Sequence, residues 1–255
     1  MSAKAILLAA GQGTRLRPLT DDRPKCLVEW RGRSLLERAL EALGEAGIGD
    51  VTVVGGYCAH ALVRPDLRLV LNPRYESTNM VHSLFCAEDQ MAGDDLLVAY
   101  SDIVFHPRIL RPLLDCPAPI AVAVDLDWRS LWEIRMADPL ADAETLKVDG
   151  QGDIVEIGGK PTSYDQIQGQ YVGLIKVSRD MLEPLRRFYR GLDRLATYGG
   201  RAFERMFMTD FLQVVIDRLT PVRAVFVRGG WIEIDSVEDL AAYRAHEREI
   251  LARLE

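Results

Sequence analysis

Near its start the chain reads Leu7-Leu8-Ala9-Ala10-Gly11-Gln12-Gly13-Thr14-Arg15-Leu16-Arg17-Pro18-Leu19-Thr20, and soon after Pro24-Lys25-Cys26-Leu27-Val28. Ala5 to Ala9 is a short apolar run that stops abruptly in small residues. That is the pattern of a buried first strand in a parallel sheet. Gly11 and Gly13 let the backbone turn tightly and bring bare N–H groups against an anion. Arg15 adds a planar fork for phosphate oxygens, and Lys25 a compact point charge. A strand, a glycine turn and two cations together suit a polyphosphate.

Two familiar phosphate motifs do not fit. The dinucleotide fingerprint needs a third glycine where this chain has Leu16, and the P-loop needs G-K-[ST] after four spacer residues. The longer string A-A-G-x-G-T-R-L-x-P-L-T followed by P-K is far more specific. It resembles the signature of the nucleotidyltransferases that make sugar nucleotides and related activated head groups.

The 255 residues suffice for one large α/β domain or two small ones, and 48% hydrophobic content supports a sizeable core. A net charge of −7 argues against a nucleic-acid polymer as partner. It also means that an anionic substrate needs local cations, which the first loop supplies. The first apolar run is too short for a signal or membrane helix, so a cytoplasmic protein that does not engage membranes is expected. Cys26, Cys58, Cys86 and Cys116 are widely spread, as are the four histidines. They read as reduced packing residues rather than a zinc site.

Outward from the loop, Ser34 to Ala46 has one apolar helical face, with Ser34 as N-cap and Glu37 three residues on. Val51 to Val54 and Leu67 to Leu71 follow as strands, giving a βαβ unit and hence a parallel sheet. In Asn72-Pro73-Arg74-Tyr75-Glu76-Ser77-Thr78-Asn79-Met80-Val81-His82-Ser83-Leu84, Pro73 stops the strand and Thr78 or Asn79 caps a helix running to about 90. Leu96 to Ala99 is another strand, closed by Ser101-Asp102 and a turn at 103–106. A carboxylate at the carboxyl end of a buried parallel strand sits where ligands bind in open sheets. Ile120 to Val124 is a further strand. Beyond it lie Asp125, Asp127, Trp128, Trp132 and Glu133, then a polar surface loop at 137–144. Two strands follow around Asp149-Gly150, and another runs from Gln168 to Ile175. Helices are expected over 179–189 and 203–218, a strand over 222–227, and a last helix opened by the box Ser236 to Asp239. In the second helix Phe203, Met206, Phe207 and Phe211 read as core, or as a homodimer face. Glu233 and Asp235 alternate onto one side of the Trp231–Asp235 segment.

The resemblance extends over nearly the whole chain, most distinctively at 72–84, 125–133, 156–173 and 231–240. It points to the branch of the family like phosphocholine and phosphonate cytidylyltransferases. It implies a Rossmann-like three-layer α/β sandwich with a mixed, mostly parallel sheet, as in nucleotide-diphospho-sugar transferases. A single nucleotidyltransferase domain is expected, with a nucleotide-binding half (1–120) and an acceptor half (121–255). The resemblance assigns nucleotide contacts to Leu8, Ala10, Gly11, Gly13, Thr14, Arg15, Lys25, Asn79, Ser83 and Ser101, with Arg15 and Lys25 catalytic. Asp102 and Asp235 would hold Mg2+. Lys160 would face the acceptor phosphate, although the acidic residue usual before it is Gly159 here. Ser101 likewise stands where the family more often has Gly.

The implied donor is CTP, and the acceptor a small phosphate or phosphonate such as phosphocholine or 2-aminoethylphosphonate. Trp128, Trp132 and Tyr171 could cage a quaternary ammonium. Asp125, Asp127 and Glu133 could hold a primary one, with Glu233 a further acceptor contact. Gln166, Gln168 and Gln170 would suit a sugar phosphate. Two alternatives stand beside this reading: a sugar-1-phosphate transferase using UTP, dTTP or GTP, and a non-catalytic nucleotide-binding module.

Overall fold

Alternate residues of Ala3–Ala9 (β1) face opposite ways, as strand geometry demands. Ala5, Leu7 and Ala9 enter one apolar core, and Ile6 and Leu8 the other. A computed structural model describes residues 3–255 and shows how two cores arise. β1 pairs in parallel with Val51–Gly55 (β2), which pairs in parallel with Arg68–Leu71 (β3). On its other side β1 pairs in parallel with Asp95–Tyr100 (β4). Ile103–Phe105 (β5) leaves the sheet, and Ile120–Asp125 (β6) rejoins it. Leu146–Val148 (β7) and Ile154–Ile157 (β8) form an antiparallel hairpin. Gln170–Val177 (β9) inserts antiparallel between β4 and β6. Arg223–Val227 (β10) closes the sheet edge, parallel to β6. Trp231–Glu233 (β11) pairs antiparallel with β5, outside the main sheet. The seven-stranded order is β10-β6-β9-β4-β1-β2-β3, mostly parallel with one reversed strand.

Helices cover both faces. Leu35–Glu45 (α1) starts with the expected capping box, closed by Ser34 and Glu37. Met80–Cys86 (α2), capped by Asn79, lies on the opposite face. Leu110–Leu114 (α3) and Trp128–Arg135 (α4) join α1. Arg179–Arg190 (α5) and Met208–Arg218 (α6) join α2. Val237–Ala245 (α7) and Glu247–Leu254 (α8) end the chain on the α1 side. The result is the expected three-layer sandwich. Among the described residues no helix is long and apolar enough to cross a membrane.

Several expectations are corrected. Residues 103–106 are largely strand rather than turn, because the apolar triplet of β5 finds a partner in β11. The 203–218 segment breaks into a short turn at Phe203–Arg205 and then α6. Phe203, Met206 and Phe211 are buried in the core and do not form a dimer face. The last helix splits at His246.

Three acceptor candidates are also structural. Trp128 and Trp132 are buried in the core, edge to face at 5.7 Å, and Trp132 meets Trp231 at 6.0 Å. They form no open cage. Asp125 is fully buried, and its carboxylate accepts from Trp231 Nε1 (2.9 Å) and from the Gly229 and Asp127 amides. Arg253 completes its shell as an ion pair. Asp125 therefore ties α8 and β11 to the end of β6, and its carboxylate is closed off from solvent.

Removing one partner of such a pair strands the other charge. Asp125→Ala is expected to cost about 3–5 kcal/mol of unfolding free energy. Urea titration checks this, and a loss below about 1 kcal/mol, the scale of an exposed pair, would contradict the structural role.

Candidate active site

The end of β1 opens into residues 10–13, which adopt no regular structure. Gly13 takes φ 64, and a side chain there would approach Lys25 Cβ to 2.9 Å. The glycine is thus required twice, for its backbone and for the Lys25 stem lying over it. Thr20 Oγ1 donates to Gly13 O at 2.8 Å and ties the loop's far limb back. The N–H groups of Gln12, Gly13, Thr14 and Arg15 donate to no acceptor among the described residues. Gly11 faces open space. Such a run of free amides in a turn is an anion cradle.

Lys25 Nζ, nearly buried, donates to Asp102 Oδ2 at 2.8 Å and to Asp235 Oδ1 at 2.5 Å. Arg15 pairs with the other oxygen of Asp235. The two acids, far apart in sequence, therefore share one ammonium. The β5–β11 ribbon brings them together: Asp102 precedes β5, Asp235 follows β11, and Ile234 N–H donates to Asp102 O at 2.9 Å. Asp239 fixes Asp235 from behind, accepting its N–H at 2.8 Å while also closing the α7 box.

A cleft beside this cluster is lined by Leu8, Ala10, Gly11, Lys25, Asn79, Ser83, Ser101 and Asp102, all singled out from the sequence. Tyr75, Thr78, Met80 and Tyr100 complete it. These four were not foreseen, and only the placement of Tyr75 and Thr78 in the Asn72–Leu84 segment hinted at them. Asn79 both caps α2 and lines the cleft, so its two readings are compatible. Ser101 Oγ donates to Leu8 O at 2.7 Å, pinning β4 to β1 at the cleft floor. Thr14 opens the short turn that carries Arg15.

Asp102 Oδ1 is buried and has no hydrogen-bond partner among the described residues. An orphaned oxygen on a carboxylate that shares its cation with a second carboxylate fits a hard divalent cation. Mg2+ is commonly held by one or two carboxylates, with substrate oxygens and water completing its shell. Among the described residues no group of three or more His, Cys, Asp or Glu is arranged to hold a metal ion by itself.

The remaining candidates lie further out. Glu233 pairs with Arg135, a deeply buried side chain that also binds Asp239 and that the sequence did not flag. Burial holds the Glu233 carboxyl above its ordinary range, against the pull of Arg135. Tyr171 stacks edge to face on Tyr100 at 5.8 Å, and its buried hydroxyl has no partner among the described residues. Lys160 is not brought to the phosphate loop. Its Nζ donates to the carbonyls of Leu140 and Ala141 at the rim of an adjoining cleft. The three glutamines are committed to backbone: Gln166 Oε1 accepts from Thr162 N, Gln168 Oε1 from Val148 N, and Gln170 Oε1 from Glu144 N. Gln170 also spends its Nε2 on backbone carbonyls, whereas the Nε2 groups of Gln166 and Gln168 have no acceptor among the described residues.

Comparison with known proteins agrees with this geometry. Residues 5–205 match the MobA-like NTP transferase domain. The chain belongs to the MobA-like NTP transferase family. This transferase is 43% identical over 246 residues to the CTP:phosphoglutamine cytidylyltransferase of Campylobacter jejuni, covering 92% of this chain and 97% of that one. It is 29% identical over 249 residues to the 2-aminoethylphosphonate cytidylyltransferase of Lancefieldella rimae, covering 94% and 91%. The inositol-1-phosphate CTP transferase of Thermotoga maritima shares its fold, with TM-score 0.74 at 21% identity over 98% of this chain and 95% of that one.

The adjoining cleft holds a residue the sequence reading passed over as surface loop. Burial pushes the Glu144 carboxyl up to about 7, helped by Asp210 and Asp142, while Thr209 and Arg201 pull the other way. An unfolded chain would release that proton near 4.5. Between these values the folded protein binds a proton the unfolded chain lacks, so stability falls as pH rises and the full loss is felt above about 7. Glu144→Gln escapes this loss. It is expected to be more stable than the parent by up to about 3 kcal/mol at pH 8 and equal to it near pH 4, as read by denaturation at both values.

Proposed function

We propose that this transferase moves CMP from CTP onto the phosphate of a small acceptor, releasing pyrophosphate. The observation that carries the reading is the Lys25 ammonium between Asp102 and Asp235, at the mouth of a glycine-turn cleft. Lys25 and Arg15 would leave these acids for the triphosphate and meet charge as it develops around the α-phosphorus. The free amides of 12–15 would cradle the outer phosphates. Asp102 and Asp235, released from the cations, would hold Mg2+, which when bound supplies further charge neutralisation on phosphate oxygens.

An acceptor phosphate oxygen attacks the α-phosphorus, forming a new P–O bond. The bond from α-phosphorus to the oxygen bridging to the β-phosphate breaks, and its electron pair leaves with pyrophosphate. The acceptor phosphate has its second pKa near 6, so no base is required. The protein's task is to align and to neutralise.

The choice of CTP is supported by the full-length relative and by one hydrogen bond. Ser101 Oγ spends its proton on Leu8 O, so towards the cleft it can only accept. That suits the exocyclic amine of cytosine and opposes the O4 of uracil or thymine. For the acceptor, phosphoglutamine is the first candidate, because the relative named for it is the one matched along almost its whole length at 43% identity. The buried tryptophans weigh against a choline cage.

Pyrophosphate release from CTP, UTP, GTP and dTTP with Mg2+ tests this, using phosphoglutamine, 2-aminoethylphosphonate, phosphocholine and glucose 1-phosphate as acceptors. CTP with the first acceptor is expected to lead, and preference for glucose 1-phosphate with UTP would overturn the reading. Lys25→Ala is expected to lower turnover roughly 10²–10³-fold. Ser101→Ala should reduce the preference for CTP over UTP about tenfold, the effect of one hydrogen bond.

A further inference from the structure

Building on the reading of a phosphorylated small acceptor, we propose that the cleft beside the nucleotide site grips an α-amino-acid end of that acceptor. Glu144 takes its ammonium group and Arg201 its carboxylate. The cleft measures about 590 Å3 and is walled by residues 142–144, the 157–160 turn, the Tyr198–Arg201 hairpin and one side of α6. That volume is within the range of small-molecule sites.

Glu144 is held in place but not compensated. Gln170, buried on β9, clamps its backbone from both sides: Glu144 N donates to Oε1 at 3.0 Å, and Nε2 donates to Glu144 O at 2.6 Å. Its carboxylate receives only the Thr209 hydroxyl, at a long 3.4 Å, and no cation pairs with it among the described residues. Largely buried carboxylates are normally paired, because desolvation disfavours the charged form. A ligand ammonium entering the cleft would supply the missing charge.

Arg201 presents the opposite half of the arrangement. Its Nη1 is committed, donating to Gly199 O at 3.1 Å and to both oxygens of Asp210 at 3.1 and 3.2 Å. The guanidinium lies 3.8 Å over the Phe207 ring, which fixes its plane. Nε and Nη2 have no acceptor among the described residues, and the side chain remains 38% exposed. An anchored guanidinium with two free N–H groups on one edge is the geometry for bidentate carboxylate binding. Asp210 is thereby paired, and Asp142 and Asp217 accept from Trp132 Nε1 and Gln213 Nε2, while Glu144 has only its long contact to Thr209.

The cleft adjoins the chemistry. Tyr100 lines the nucleotide cleft, Tyr171 packs on it, and Tyr171 directly follows Gln170, whose side chain clamps Glu144. Asp142, on the cleft wall, accepts from Trp132 Nε1 at 3.0 Å, and Trp132 packs at 6.0 Å on Trp231 of β11, the strand that leads to Asp235. An acceptor could therefore place its phosphate at the cation cluster and its zwitterionic end among Glu144 and Arg201. A trimethylammonium head would find neither an open aromatic wall nor a use for the guanidinium.

The test uses three acceptors with CTP and Mg2+: L-glutamine phosphorylated on its side-chain amide nitrogen, its analogue without the α-amino group, and its analogue without the α-carboxylate. The full-length enzyme is compared with Glu144→Gln and Arg201→Lys. The parent is expected to favour the complete acceptor about 100-fold in kcat/KM over either analogue, the scale set by leaving a buried polar group unmatched. Glu144→Gln should shrink the preference over the des-amino analogue to below about tenfold, and leave the KM for CTP unchanged. Arg201→Lys, which keeps a cation for Asp210, should do the same for the des-carboxy analogue. Equal use of all three acceptors by the parent, or preferences untouched by either variant, would overturn the proposal. If no acceptor releases pyrophosphate, the transfer reading fails by itself. Calorimetric binding of the same three compounds without CTP then decides the cleft, by whether Glu144→Gln abolishes selection for the amino group.

Discussion

One ammonium held between two carboxylates organises this molecule's active face. A lysine side chain as buried as that of Lys25 cannot stay charged alone, since taking an ion out of water costs several kcal/mol after relaxation. Asp102 and Asp235 meet that demand, and everything near them serves to bring them to it. The glycine at 13 clears room for the lysine stem. The β5–β11 ribbon, lying outside the main sheet, carries the two acids to one point. Asp239 and Arg135 hold the descending backbone in place behind them. Loss of both acids would leave the Lys25 charge buried and unpaired, so the geometry is enforced electrostatically as well as by packing.

The same neutrality suits a site that must receive a polyanion. A cluster of bare cations would repel its own members, and a protein of net charge −7 offers no general attraction to a triphosphate. Here the cations are stored against acids. In the reaction proposed above, an incoming phosphate chain would replace the acids as partner for Lys25 and Arg15, and the acids would be free to hold a divalent cation. Each charge changes partner, and none has to be created or stripped. Preorganised charge of this kind costs little reorganisation at the moment of reaction.

What could be read from the sequence follows from how local each feature is. The glycine turn, Arg15 and Lys25 form one short motif, and the capping boxes at Ser34 and Ser236 are four-residue patterns, so all were legible. Asp102 was legible because a carboxylate closing a parallel strand has a standard place. The β5 strand was not, since three apolar residues after a turn-like Ser-Asp pair have no local partner, and the partner lies in β11. The tryptophans of α4 carried the helical spacing of a buried pair, and burial against Trp231 decided between packing and binding. Asp125 read as a possible contact for an acceptor ammonium because its partners, Trp231 and Arg253, come from the far end of the chain. Arg135 and Glu144 escaped notice for the same reason: nothing within a few residues marks them, and their roles exist only once α4, β9 and α6 are assembled.

The contrast between the two clefts follows from this. The nucleotide side is built from a short segment whose backbone does most of the binding, so its chemistry is written in glycines. The acceptor side is built from side chains on separate elements, and its chemistry appears as an imbalance of charge. Consistency between burial and pairing is the rule for stable folds, and departures from it concentrate where a ligand completes the structure. Glu144 is such a departure. It is buried enough to resist ionisation, clamped by Gln170 so that it cannot turn away, and passed over by Arg201, which is already engaged with Asp210. Packing alone would favour an amide or an apolar residue at that point. A carboxylate kept there against the cost of its own burial is best understood as one half of an ion pair whose other half belongs to the substrate.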